Sequence, residues 1–342
     1  MKRTARACAI ALAGLGLAGP AWTAAADDVN VYTYREPALI KPIFDAFTKE
    51  TGITVNVVFA KEGLEERVAA EGTRSPADVL ITTDVARLVR AVELGITAPQ
   101  TSARLMSAVP ASLRDAAGNW FGLSYRARVA YVSKERVKDT ALTYEALADP
   151  QWKGRFCLRD GQHIYNNMLF AAGVVHLGPE KAEAWLKGLK ANLAKKPSGG
   201  DREVAKDIAS GACDVGFGNT YYVGLMAKSD QQKPWADAIR VILPTFRDGG
   251  THVNLSGIAV LKHAPHAANA LKLAEWLVGD TAQRMYTADN FEFPVRADTP
   301  IDATVSAFGK LTPDPVPFAE IIKARSLAAD IIDRIGFNGG PN

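Results

Sequence analysis

The feature that most constrains this chain is the alternation of strand and helix patterns between residues 29 and 95. Residues 29–34 (VNVYTY) alternate apolar and polar side chains with the two-residue period of a short strand. Pro37 then opens a helical stripe of Leu39, Ile40, Ile43, Phe44 and Phe47, and Gly52 closes it. Proline supplies a preset first-turn dihedral, and glycine a ready stop. A β-branched strand over 53–60 follows, then a charged amphipathic helix over 63–71 that ends at Gly72. The strand 78–83 leads to Asp84, which caps a helix running to Gly95. Strand, helix, strand and helix at this spacing predict parallel βαβ units in a doubly wound sheet. Nothing repeats at a fixed period, which excludes a solenoid.

A second α/β series begins after residue 144. It runs through 144–147, Trp152-Lys153-Gly154 and a strand over 155–159, then helices over 167–177, 179–193 and 202–210. An apolar strand over 213–217 leads into Tyr221-Tyr222, and a further helix covers 267–277. Two long extended runs, 120–133 and 253–261, stand between the series as candidate strands that cross from one lobe to the other. At 342 residues the chain is long enough for two domains. The expected division is a first lobe over 27–125 and 255–300 and a second over 126–254. A C-terminal helical segment, 301–342, is assigned to neither.

The first 26 residues read as a secretory leader. Lys2, Arg3 and Arg6 precede an apolar run from 7 to about 18, and Ala24-Ala25-Ala26 supplies small residues for cleavage near Ala26. The apolar run is short for a membrane span, and no later stretch reaches about 18 apolar residues. A soluble, exported protein is therefore expected. Three of the 40 lysines and arginines, and none of the 37 acids, precede Asp27, so the rest of the chain balances near zero charge. No basic tract argues for nucleic acid or an anionic membrane surface. Past the leader only Cys157 and Cys213 remain. Outside the cytoplasm they read as a disulfide in preference to two buried thiols, and they match no zinc spacing.

Four places put unusual polar groups at element ends: Tyr34-Arg35-Glu36, Tyr125-Arg126 with Arg128, His163-Ile164-Tyr165-Asn166-Asn167, and Asn219-Thr220-Tyr221-Tyr222. Loops that follow strands of a doubly wound sheet gather at one edge, so these four can meet. Neighbouring side chains diverge within a strand or helix, but a tyrosine pair at a strand-to-helix junction can converge beyond the strand end. Taken alone, the pair is as well read as two half-buried tyrosines, and Arg35 and Arg126 as salt-bridged residues, with Glu36 the obvious partner of Arg35. His163 reads as an exposed turn residue. His263-Ala264-Pro265-His266 reads as a loop, because the proline breaks helical geometry.

The two-lobed layout resembles the bacterial periplasmic solute-binding proteins, and seven stretches narrow the resemblance. They are Val31-Tyr32-Thr33-Tyr34-Arg35, Ser75-Pro76-Ala77-Asp78-Val79-Leu80, Trp120-Phe121-Gly122-Leu123 with Arg126-Ala127-Arg128-Val129, Trp152-Lys153-Gly154, Tyr165-Asn166, Gly218-Asn219-Thr220-Tyr221-Tyr222 and Gly250-Thr251-His252-Val253-Asn254. In this order, over almost the whole chain, they resemble the ferric-ion-binding proteins that feed bacterial iron ABC transporters. The resemblance implies a two-lobed α/β fold, each lobe a doubly wound, mostly parallel sheet flanked by helices, joined by two crossing strands. It implies Fe³⁺ held by Tyr165, Tyr221 and Tyr222, with a synergistic small anion such as carbonate on Arg35 and Arg126, and delivery by a monomer to an inner-membrane permease.

The chemistry agrees with that implication. Fe³⁺ is a hard cation suited to anionic oxygen donors, a nearby metal ion stabilises phenolate over phenol, and three phenolates cancel its charge. A planar guanidinium matches a carbonate edge in bidentate fashion. Some members of that family carry a histidine ligand in the first loop. This chain has Glu36-Pro37 there, which places it with the three-tyrosine subgroup and leaves open whether Glu36 serves as a sixth ligand. Two other readings compete: a carrier of an organic or inorganic anion held by Arg35 and Arg126, and a secreted hydrolase. The chain has no Gly-x-Ser-x-Gly or His-Glu-x-x-His, so no enzyme activity is expected.

Overall fold

The computed structural model describes residues 28–341; the leader expected over 1–26, with its cleavage near Ala26, lies outside the described residues. Nine strands form one sheet: β1 (Asp28–Thr33), β2 (Thr54–Phe59), β3 (Val79–Thr82), β4 (Phe121–Ser133), β5 (Phe156–Cys157), β6 (Val215–Asn219), β7 (Ile239–Ile242), β8 (Val253–Val260) and β9 (Phe293–Pro294). Their spatial order is β2-β1-β3-β8-β4-β6-β5, with β7 and β9 also paired to β4. Parallel pairs lie at the two ends of that order, β2-β1-β3 in one lobe and β6-β5 in the other. The two long strands between them, β4 and β8, run antiparallel to each other.

β4 changes partner halfway along. From Phe121 to Ala127 it pairs with β8, and from Arg128 to Val132 with β6. Thirteen residues rising about 3.3 Å each are long enough to take part in both lobes. The change falls between Ala127 and Arg128, so Arg126 and Arg128 sit on the floor where the lobes meet. β9 adds to the first half of β4, with Phe293 opposite Tyr125 and Pro294 opposite Ser124.

Local chemistry explains the flanking helices. In the helix Pro37–Thr51, Ile40, Ile43, Phe44 and Phe47 are buried at helical spacing, and Gly52 ends it in the left-handed region at φ 76°. Each such side chain contributes about 1.5–3 kcal/mol on burial. The helix Ile164–Leu177 is apolar on nearly all sides. It is enclosed by Trp185, by the C-terminal helix Arg325–Arg334 and by Phe337. Gly173 lets this packing close, because a Cβ there would lie 2.4 Å from the Trp185 ring. One apolar core holds Phe156, Phe170, Trp185, Phe217, Ile331 and Phe337, and continues across the crossing strands to Leu88 and Leu255.

Cys157 at the end of β5 is bonded to Cys213 just before β6, across a separation of 56 residues. Closing a loop of that length contributes about 4 kcal/mol by restricting the unfolded chain. The His263–His266 segment is a turn, and the His266 ring lies between Asp28 (3.2 Å) and Asp78 (3.0 Å). No described helix is long and apolar enough to cross a membrane.

Candidate metal centre

The three tyrosines singled out by sequence reach one cleft from two elements. β6 ends at Asn219, and the helix Tyr221–Ala227 begins at once, so Tyr221 and Tyr222 occupy its first turn. Two glycines fix this junction. A Cβ on Gly218 would lie 2.1 Å from the Tyr131 ring, and one on Gly224 would lie 2.1 Å from the Phe291 ring. The backbone is thus pressed between two aromatic faces.

Tyr165 comes from the first turn of the helix Ile164–Leu177. His163 caps that helix, its Nδ1 accepting the Tyr165 N–H at 3.2 Å while its ring meets the Tyr165 ring edge-on. This corrects the exposed turn histidine expected from sequence. His163 is half-buried, and burial with the Arg159 and Arg128 charges lowers its pKa to about 4.

Tyr165 Oη stands 3.5 Å from Tyr221 Oη, and the Tyr221 and Tyr222 ring centroids are 4.2 Å apart. Burial pushes the Tyr221 hydroxyl well above the ordinary phenol range, with Tyr165 and Tyr222 adding to the effect. Tyr222 is raised chiefly by burial, then by Tyr165 and Asp201. Crowded phenols that resist ionisation on their own become acceptable phenolates only beside a strong cation.

Arg35, Glu36, Arg126, Tyr165, Tyr221 and Tyr222 line the same cleft, together with Arg202. Its volume is about 100 Å³, small against the roughly 300–1,000 Å³ of pockets for drug-sized organic ligands. The two arginines differ. Arg35 is clasped by Glu292 through both outer nitrogens, at 2.9 and 2.8 Å, and one of these also donates to Ser256 at 3.0 Å. The partner is therefore Glu292 and not the adjacent Glu36; Arg35 keeps only Nε unpartnered. Burial alone would lower its pKa, but the Glu292 charge outweighs that and raises it. Arg126 is only 3 % exposed, and neither of its outer nitrogens has a hydrogen-bond partner among the described residues. Its guanidinium carbon lies 5.2 Å from the Tyr165 ring centre.

Other sequence candidates have different tasks. Arg128 is buried against Asp201 at 2.6 Å. Tyr34 lines the cleft, yet its hydroxyl is bonded to Glu65 and to the Leu64 N–H, and Arg87 stacks on its ring. Tyr125 lies stacked on Phe293. Glu36 is exposed at the N-terminus of the helix Pro37–Thr51 and makes no capping hydrogen bond.

Sequence reasoning missed Glu292, Asp201, Arg159 and Arg202. Arg159 and Arg202 lie about 5 Å from the Tyr165 and Tyr222 ring centres. Arg128, in a strand-like run without an acidic neighbour, was a signal that a distant carboxylate existed, though not which one; Arg35 beside Glu36 gave no such signal. Among the described residues no group of three His, Cys, Asp or Glu side chains is set to hold a metal. A metal at this cleft would therefore rest on phenol oxygens.

The chain is also similar to known proteins. Residues 43–313 match the family of bacterial extracellular solute-binding proteins. A relative from Synechocystis, "Iron uptake protein A1", is 40% identical, with 91% of this chain and 87% of the relative covered. A solved structure titled "Bordetella ferric binding protein" superposes with a TM-score of 0.85 at 52% identity, over 91% of this chain and 99% of that one. The apo ferric ion-binding protein A of Pasteurella haemolytica superposes with a TM-score of 0.88 at 44% identity, over 92% and 99%.

Proposed function

The chain belongs to the bacterial extracellular solute-binding proteins, and we propose that its cargo is ferric iron, taken up by three tyrosinates and a small anion and passed to an ABC permease. The observation that carries this reading is the meeting of Tyr165 with Tyr221 at 3.5 Å between hydroxyl oxygens, with Tyr222 alongside. Three phenolates offer three negative charges to a trivalent hard cation. The names of the relatives, an iron uptake protein and two ferric-binding proteins, support the same cargo.

Burial holds Tyr221 and Tyr222 as neutral phenols, and phenols bind iron as phenolates, so iron entry drives protons out. Arg126 anchors the anion, carbonate or one of similar shape, because a buried guanidinium without a partner calls for a negative charge. Arg35 contributes Nε from the opposite wall while Glu292 holds its other edge. The carrier works in the periplasm as a monomer, and the protein is a binding module, not an enzyme. The small cleft weighs against an organic anion as sole cargo.

The test is a ferric titration of the wild type beside Tyr165→Phe, Tyr221→Phe and Tyr222→Phe. A visible phenolate-to-iron charge-transfer band in the wild type, weakened in each variant, is the expected result. A protein that stays colourless when given ferric citrate is not a tyrosinate iron carrier.

A further inference from the structure

Behind the phenols lies a buried polar cluster whose members, Asp201, Arg128, Arg159, Asn166 and Asn219, are not among the residues that line the cleft. Asp201, in the first turn of the helix Asp201–Ala209, has a side chain with no exposure. Its carboxylate accepts from Arg128 at 2.6 Å, from Arg159 at 3.4 Å and from the Asn219 N–H at 3.0 Å. Arg128 in turn donates to the Asn219 side chain at 3.2 Å and to Asn166 at 2.6 Å. Asn166 donates back to the carbonyls of Arg159 and Asp160. Burial would raise the Asp201 carboxyl pKa, but the two guanidinium groups and the Asn219 N–H outweigh it and keep the group ionised.

The cluster links the elements that must be aligned. Asn166 follows Tyr165, and Asn219 stands two residues before Tyr221. We propose that Asp201 and Arg128 are positioning residues for the metal centre: they brace the Tyr165 helix against the end of β6, so that the oxygens of Tyr165 and of the tyrosine pair are aligned before iron arrives. Asp201 also cancels charge on two arginines that would otherwise stand unneutralised near an incoming trivalent cation. The proposal rests on the tyrosinate reading above.

The experiment compares Asp201→Asn, Asn166→Ala and Tyr221→Phe with the wild type. Asp214→Asn is the control, since Asp214 pairs with Arg136 and Arg155 in the same lobe away from the cleft. Ferric affinity and absorbance per bound iron are read for each, with circular dichroism to confirm folding. Asp201→Asn should lose about 10–100-fold in affinity, the usual range for outer partners of metal ligands. Its band should fall to that of Tyr165→Phe, a signature that a general loss of stability does not produce. Asn166→Ala should lose less, with the same spectral trend, and Asp214→Asn should match the wild type.

A folded Asp201→Asn with wild-type affinity and band overturns the proposal. If Asp201→Asn does not fold, Asn166→Ala decides, and wild-type behaviour there overturns it as well. Tyr221→Phe separates the two readings, because an unchanged band in that variant removes the tyrosinate centre itself and this proposal with it.

Discussion

The two walls of the cleft are built on opposite electrical principles. On the first-lobe wall the buried charges have internal partners: Glu292 clasps Arg35, Glu65 holds the Tyr34 hydroxyl, and Arg87 covers the Tyr34 ring. On the facing wall three phenols crowd together, and Arg126 on the floor has no hydrogen-bond partner for its outer nitrogens among the described residues. Internally paired groups hold their shape whether or not cargo is present. Unpaired ones are unfinished until a cation and an anion arrive. On the proposed reading one lobe assembles the binding site and the other closes over it.

The largest effect that tests this contrast is that of pH on iron affinity. Burial and mutual proximity hold Tyr221 and Tyr222 protonated above the ordinary phenol range, so loading must expel at least these two protons. Affinity therefore rises with pH by about 100-fold per unit or more, at 1.36 kcal/mol per proton per unit. Titration against a chelator of known pH dependence between pH 5 and 8 measures the slope. A slope near zero would mean that the phenols are not displaced by the metal, and the difference between the walls would lose its meaning.

Next in size is the loss of a single hydroxyl from each wall. Tyr221→Phe leaves a trivalent ion short of one counter-charge in a buried site, which costs about 3–5 kcal/mol, or some hundred- to several-thousandfold in affinity. Tyr34→Phe, which lines the same cleft but spends its hydroxyl on Glu65 and Leu64, should change affinity by less than about threefold. Equal losses in the two variants would break the comparison.

The arginines extend the test at smaller scale. Glu292→Gln leaves Arg35 buried without its counter-ion and should destabilise the fold by about 3 kcal/mol. Chemical denaturation without iron reads this. Arg126→Gln should leave that stability nearly unchanged, weaken iron binding by about tenfold, and abolish the gain from added bicarbonate. If Glu292→Gln were to remove the bicarbonate response and Arg126→Gln to spare it, the anion would belong to the other wall.

How far these walls could be read from the chain depends on whether the contact is local. Pro37 and Gly52 bracket a helix because capping is decided within a few residues, and the helix ends where they place it. The tyrosine pair could be placed at a strand-to-helix junction for the same reason. The meeting of Tyr165 with Tyr221, 56 residues on, came from likeness to a family and not from any local rule. Glu292 was not legible at all. It lies 257 residues from Arg35 and arrives only because the two-residue strand β9 pairs with β4. No periodicity marks so short a strand. Phe291, just before it, takes the left-handed region at φ 57°, and a sequence gives no notice of an aromatic residue in that conformation. Asp201 was hidden in the same way, as an ordinary acid in the first turn of a helix.

The smallest predicted effect is also the one that most sharpens the contrast. Glu36 sits at the lip of the first-lobe wall, exposed and without a capping bond. Recruiting it to the metal would cost hydration and side-chain freedom, the latter up to about 1.5–2 kcal/mol. On the proposed reading three phenolates already cancel the ferric charge, and an anion on Arg126 would supply more. Glu36→Ala should therefore change affinity by less than about threefold, with a loss of about 0.3–1 kcal/mol in stability from removing an acid at a helix N-terminus. A tenfold loss together with a changed charge-transfer band would make Glu36 a ligand. The first lobe would then donate to the metal directly, and closure would complete the coordination shell instead of only covering it.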